Sequence, residues 1–69
     1  MQTTPISPDW IRNAVKQYFI DRSGISVDTV DIIDYFRVAI SLSAVEDLIN
    51  AGWLVRSNDV HPKIKRSSM

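Results

Sequence analysis

Between Trp10 and Phe19 the apolar residues return every three to four positions. Trp10, Ile11, Ala14, Val15, Tyr18 and Phe19 share one side, and Arg12, Asn13, Lys16 and Gln17 the other. This spacing predicts an amphipathic helix. Ser7-Pro8-Asp9 supplies its start: serine to cap free amides, proline for the first helical position, aspartate at the positive end of the dipole. The helix is expected over residues 8–22, closed by Ser23-Gly24. The short β-branched stretch Gly24-Ile25-Ser26-Val27 reads as a brief edge strand. A second helix is expected over residues 28–36, with Val30, Ile33 and either Ile32 or Phe36 facing inward and Asp28, Asp31 and Asp34 facing out.

The third helix announces itself by a reciprocal cap. Ser43 and Glu46 have the capping-box spacing, with Ser41 as the alternative cap. Leu42, Val45, Leu48 and Ile49 hold the helical period, and Gly52 is placed as the left-handed residue just past the end. The pattern then changes. Trp53-Leu54-Val55 is strand-like, Ser57-Asn58-Asp59 is a turn cluster, and Val60 to Ile64 can return as the second strand of a hairpin. Trp10 and Trp53 are expected as packing anchors, with Tyr18 and Tyr35 at the edges of the core.

The order is helix, short strand, helix, turn, helix, hairpin. With Val45, Leu48, Ile49, Gly52, Trp53, Leu54 and Val55 in place, the chain resembles the winged helix-turn-helix family. The stretch from Ser41 to Arg56 looks like that family's recognition helix running into its wing. The expected fold is mainly α with a small β-hairpin, three helices plus a wing, occupying residues 8–66. Flexible ends are expected at residues 1–7 and 67–69.

The resemblance implies a small regulator of transcription of the bacterial or phage type. Its third helix would lie in the major groove of double-stranded DNA and its wing on the backbone. Ser41, Ser43, Ala44, Asp47 and Asn50 would then face the bases, and Arg37, Arg56, Lys63, Lys65 and Arg66 the phosphates. A lone domain of this size offers modest contact area, so a homodimer is expected.

Charge complicates this picture. Eight basic and eight acidic residues give a formal net charge of zero, whereas nucleic-acid binders are usually basic. The charges are also divided along the chain. Between Val27 and Val55, Asp28, Asp31, Asp34, Glu46 and Asp47 stand against Arg37 alone; from Arg56 onward, Arg56, Lys63, Lys65 and Arg66 stand against Asp59. An acidic helix-turn-helix repels a phosphate backbone. The alternative reading is therefore a protein-interaction module, an adaptor or inhibitor that mimics nucleic-acid charge. It would meet a basic protein partner through Asp28, Asp31, Asp34, Glu46 and Asp47.

Composition removes several other classes. With no cysteine there is no disulfide framework and no cysteine-ligated metal. His61 is the only histidine, and no second ligand stands at a metal-binding spacing. Gly24 and Gly52 are the only glycines, too few for a phosphate-cradling loop. Asp28 and Asp31 lie on an open helix face rather than in a cleft. No catalytic residues, metal or cofactor are expected. No apolar run approaches the ~18 residues of a membrane span, and the first residues lack the pattern of a signal peptide. The expected compartment is the cytoplasm.

Overall fold

The computed structural model describes residues 6–22, 24–57, 60 and 62–67. Residues 1–5, Ser23, Asn58, Asp59, His61 and the final Ser68-Met69 lie outside the described residues, and with them part of the expected Ser57-Asn58-Asp59 turn. Six elements follow in order: α1 Asp9–Asp21, β1 Val27–Asp28, α2 Thr29–Phe36, α3 Ile40–Asn50, β2 Leu54–Arg56 and β3 Lys63–Arg66. The strands form one antiparallel sheet in the order β1-β3-β2. The fold is a winged helix-turn-helix: three helices, with the β2–β3 hairpin as the wing and β1 sealing the other edge of β3.

One cluster of side chains holds these elements together. Ile11, Val15, Tyr18 and Phe19 of α1 meet Ala44, Val45 and Leu48 of α3, with Ile32 of α2 and Val27, Leu54 and Ile64 of the sheet closing the core. Ile64, fully buried on the central strand, pairs with Val27 on one side and Arg56 on the other. Burying one such side chain contributes about 1.5–3 kcal/mol. The end of α3 behaves as its glycine predicts. Gly52 takes φ +81°, its amide donates to the Ile49 carbonyl, and the Trp53 amide reaches the Leu48 carbonyl. This double closure satisfies the last carbonyls and turns the chain into β2.

Other local expectations are corrected. In α2 only Ile32 is buried and Phe36 partly so, whereas Val30 and Ile33 are exposed. The helix is short, begins directly from β1, and gives the core a single fully buried contact. Neither Ser43 nor Ser41 caps α3, which begins at Ile40 after Ala39 with no side-chain cap. Ser41 lies inside the helix, and its hydroxyl donates to the Val38 carbonyl at 2.7 Å. Trp10 is no core anchor, being 63% exposed, while Tyr18 is buried and Tyr35 exposed. Contacts with α3 extend to residues before position 8, because Ser7 is buried and both Ile6 and Ser7 are hydrogen-bonded to Asp47.

Candidate nucleic-acid interface

The phase of α3 decides which side chains any ligand could meet. Ala44, Val45 and Leu48 turn inward, and Ser41 and Asp47 go with them. Ser43, Glu46 and Asn50, spaced by three and four residues, share the outer face, with Glu46 and Asn50 exposed and Ser43 half-buried. Of the five residues expected to read bases, Ser43 and Asn50 therefore face outward. Ser41, Ala44 and Asp47 do not. The correction has two physical causes: Ser41 is small and its hydroxyl satisfied by a local carbonyl, and Asp47 has distant partners.

Those partners lie in the segment just before α1. The Asp47 carboxylate accepts from the Ile6 amide (3.0 Å), the Ser7 amide (2.7 Å) and the Ser7 hydroxyl (2.5 Å). Arg12 donates to the Ser7 carbonyl and pairs with Asp9, closing the segment from the other side. The Ser7 hydroxyl, then the Ser7 and Ile6 amides, hold the Asp47 carboxyl below the usual aspartate range, against the opposing effect of partial burial. Asp47 is thus a latch between α3 and α1.

Two more of the five acids are also engaged. Asp28 accepts from the Val30 amide at 3.0 Å and caps α2. Glu46 pairs with Arg56, reaching from the wing root to the outer face of α3. Asp31 and Asp34 are exposed and have no ion pair among the described residues. The acidic face expected from the sequence therefore shrinks to these two. Asp31 lines an open cleft of about 430 Å³ with Tyr18, Arg22 and Tyr35. There the Arg22 guanidinium lies 3.5 Å from the centre of the Tyr18 ring. Burial pushes the Tyr18 phenol up, with Arg22 pulling the other way.

The cations sort by strand parity. Ile64 points into the core, so its neighbours Lys63 and Lys65 stand on the outer face of the sheet, both exposed. Lys65 sits opposite Val55, and Lys63 opposite Asp28. Arg66 shares the inner parity and lies 4.6 Å from the centre of the Trp53 ring, with Lys16 of α1 at 5.7 Å from the same ring. Arg37 ends α2 at φ 60°, ψ 22°, a left-handed conformation that favours glycine or asparagine. Its side chain is exposed beside the turn into α3.

The wing thus offers Lys63 and Lys65, the turn offers Arg37, and α3 offers Ser43 and Asn50 around a Glu46 neutralised by Arg56. Nothing in the sequence could have revealed the Asp47–Ser7 contact across forty residues. The Arg56–Glu46 pair had one signal, the opposite charges flanking the helix-to-wing reversal. Among the described residues there is no gathering of three or more His, Cys, Asp or Glu that could hold a metal ion. No described helix is long and apolar enough to cross a membrane. No protein-family model, curated protein or solved structure matches the chain.

Proposed function

We propose that this chain is a small DNA-binding regulator of transcription acting in the cytoplasm, with the outer face of α3 in the major groove and the wing against phosphates. The observation that carries the reading is the outward pair Lys63 and Lys65, next to a helix-turn-helix whose acids are mostly engaged within the fold. Glu46 is neutralised by Arg56, and Asp47 is turned inward, so the outer face of α3 presents less negative charge to a phosphate backbone than the residue count suggests. Ser43 and Asn50 have the right donors and acceptors for base edges. The left-handed Arg37 supports the same reading. It sets an exposed cation at the entry to α3, beside the helix that would enter the groove.

The test is fluorescence anisotropy with a random-sequence duplex at two salt concentrations. The reading expects binding that weakens steeply with salt, because each phosphate contact releases counterions. No binding at low salt would sink it. The protein-docking alternative, through Asp31, Asp34 and the exposed Tyr35, would then take its place.

A further inference from the structure

The cleft that holds Tyr18, Arg22, Asp31 and Tyr35 takes no part in the surface formed by α3 and the wing. Its walls come from the end of α1, the approach to β1, and α2. A tight turn joins the first two, with Gly24 at φ +83° and the Ile25 amide donating to the Arg22 carbonyl at 3.1 Å. Ile25 is left exposed on the cleft wall. The Tyr35 ring lies 4.7 Å from that of Tyr18 and 4.9 Å from that of Phe36, centre to centre, yet Tyr35 is 61% exposed. A ring fixed by two others thus stands open to solvent.

Two opposite charges share this cleft without pairing. The Arg22 guanidinium stacks on Tyr18, and its Nη1 donates to the Tyr18 carbonyl at 3.1 Å. Stacking uses the flat face of the group and leaves in-plane donors for a carboxylate. Neither Arg22 nor Asp31 has an ion pair among the described residues. Both nevertheless act on one group, the Tyr18 phenol, which burial pushes up, Arg22 draws down and Asp31 pushes up again. Opposite charges around one ring that do not close on each other leave room for a ligand that bears both.

We propose that this cleft binds a free apolar or aromatic α-amino acid, its carboxylate on Arg22, its ammonium on Asp31 and its side chain against Tyr35 and Ile25. The charge pattern selects the class. A simple anion drawn to Arg22 would meet Asp31 as a like charge, and a simple cation drawn to Asp31 would meet Arg22. A zwitterion satisfies both, and the exposed tyrosine and isoleucine give its side chain an apolar wall. The cleft volume of about 430 Å³ lies toward the small end of the roughly 300–1,000 Å³ of small-molecule sites, as suits a ligand of this size. A bound amino acid would bridge α1 and α2, adding a tie to a helix whose only fully buried side chain is Ile32. The inference is independent of the DNA reading, since it concerns other residues and is measured without DNA.

An NMR titration of the full chain with L-phenylalanine tests it. The Tyr18 and Tyr35 ring signals and the Ile25 amide are expected to move together, half-saturating at roughly 1 mM, as suits a dozen-atom ligand in an open cleft. Three probes each remove one feature: phenethylamine lacks the carboxylate, 3-phenylpropionate the ammonium and glycine the ring. Each is expected to bind at least about tenfold more weakly than phenylalanine, the loss of one charged contact or one buried ring. Asp31→Asn, at an exposed position, is expected to keep the wild-type spectrum outside the cleft and to lose phenylalanine binding by a similar factor. Arg22→Gln should do the same for the carboxylate. No movement of these signals at roughly 20 mM phenylalanine would overturn the proposal. So would any of the three probes binding as tightly as phenylalanine, or a folded Asp31→Asn variant that binds it like wild type.

Discussion

Asp47 and Lys65 are both single charges near the middle of their elements, yet their surroundings are opposite. Asp47 is buried on the inner side of α3, receiving hydrogen bonds from Ile6 and Ser7. Lys65 stands on the outer face of the wing, across from Val55, with no ion pair among the described residues. The first charge works inside the fold and the second is available to something outside it. A tally of acids and bases along the chain treats them alike, and so exaggerates how acidic the helix-turn-helix is to an approaching ligand.

The contrast is broken most completely at the strand that supports both regions. Ile64→Ala should cost about 3 kcal/mol, a large part of the stability of so small a domain, and remove the wing and the core together in a urea melt. An unchanged midpoint would show that β3 is not their common support.

The next largest effect belongs to the latch. Asp47→Asn should lower the melting temperature by on the order of 10 °C, since the buried Ser7 donors and the part-buried Ile6 amide lose a charged acceptor. It should also flatten the acid limb of the stability profile. The folded carboxyl titrates below its unfolded value, so its stabilisation is complete above the ordinary aspartate range of about 4 and disappears as pH falls through the lower folded value. Identical acid limbs for wild type and Asp47→Asn would show that other carboxylates govern acid unfolding.

On the open side, Lys63→Ala with Lys65→Ala should change stability by no more than about 0.5 kcal/mol. The pair should weaken duplex binding roughly tenfold at low salt and reduce the salt slope by about 2. A destabilised double variant would mean that the wing lysines belong to the fold after all.

Arg37→Gly separates the two roles at one position. Relief of the left-handed backbone should leave stability unchanged or raise it by up to about 1 kcal/mol, while binding weakens by a few fold. The smallest effect is expected from Glu46→Gln. Its half-exposed pair with Arg56 is worth less than about 0.5 kcal/mol, and the variant should bind DNA slightly better.

The parts of this fold that depend on near neighbours could be read directly from the residues. The apolar period of α1 from Ile11 to Phe19, the Gly52 reversal and the switch to strand composition after Trp53 each act within a few positions, and each appears as expected; Trp10, at the head of the same period, does not join the core. The fold departs from the local pattern where a residue finds a distant partner. Ser43 and Glu46 have the spacing of a cap, but α3 starts at Ile40 and Glu46 turns to Arg56 instead. Ser7 was expected to cap α1, yet Pro8 occupies that position and the Ser7 hydroxyl goes to Asp47. Polarity alone placed Ser41 and Asp47 outside. Their hydrogen bonds, one to a neighbouring carbonyl and one across the chain, make burial tolerable. The candidate site was legible at Lys63 and Lys65, where strand alternation fixes the direction of each side chain.

The same latch bears on how quickly the domain can assemble. Ile6 and Asp47 are separated by 41 residues, and β1 must wait for β3, so no segment between them can complete the fold by itself. Chains closed by such remote pairings fold at a pace set by the search for topology rather than by the growth of helices. If the segment before α1 docks after α1 and α3 have met, Asp47→Asn will speed unfolding and leave refolding almost unchanged in stopped-flow measurements. Slower refolding would instead place the Ser7–Asp47 contact in the rate-limiting step, making the latch part of the nucleus.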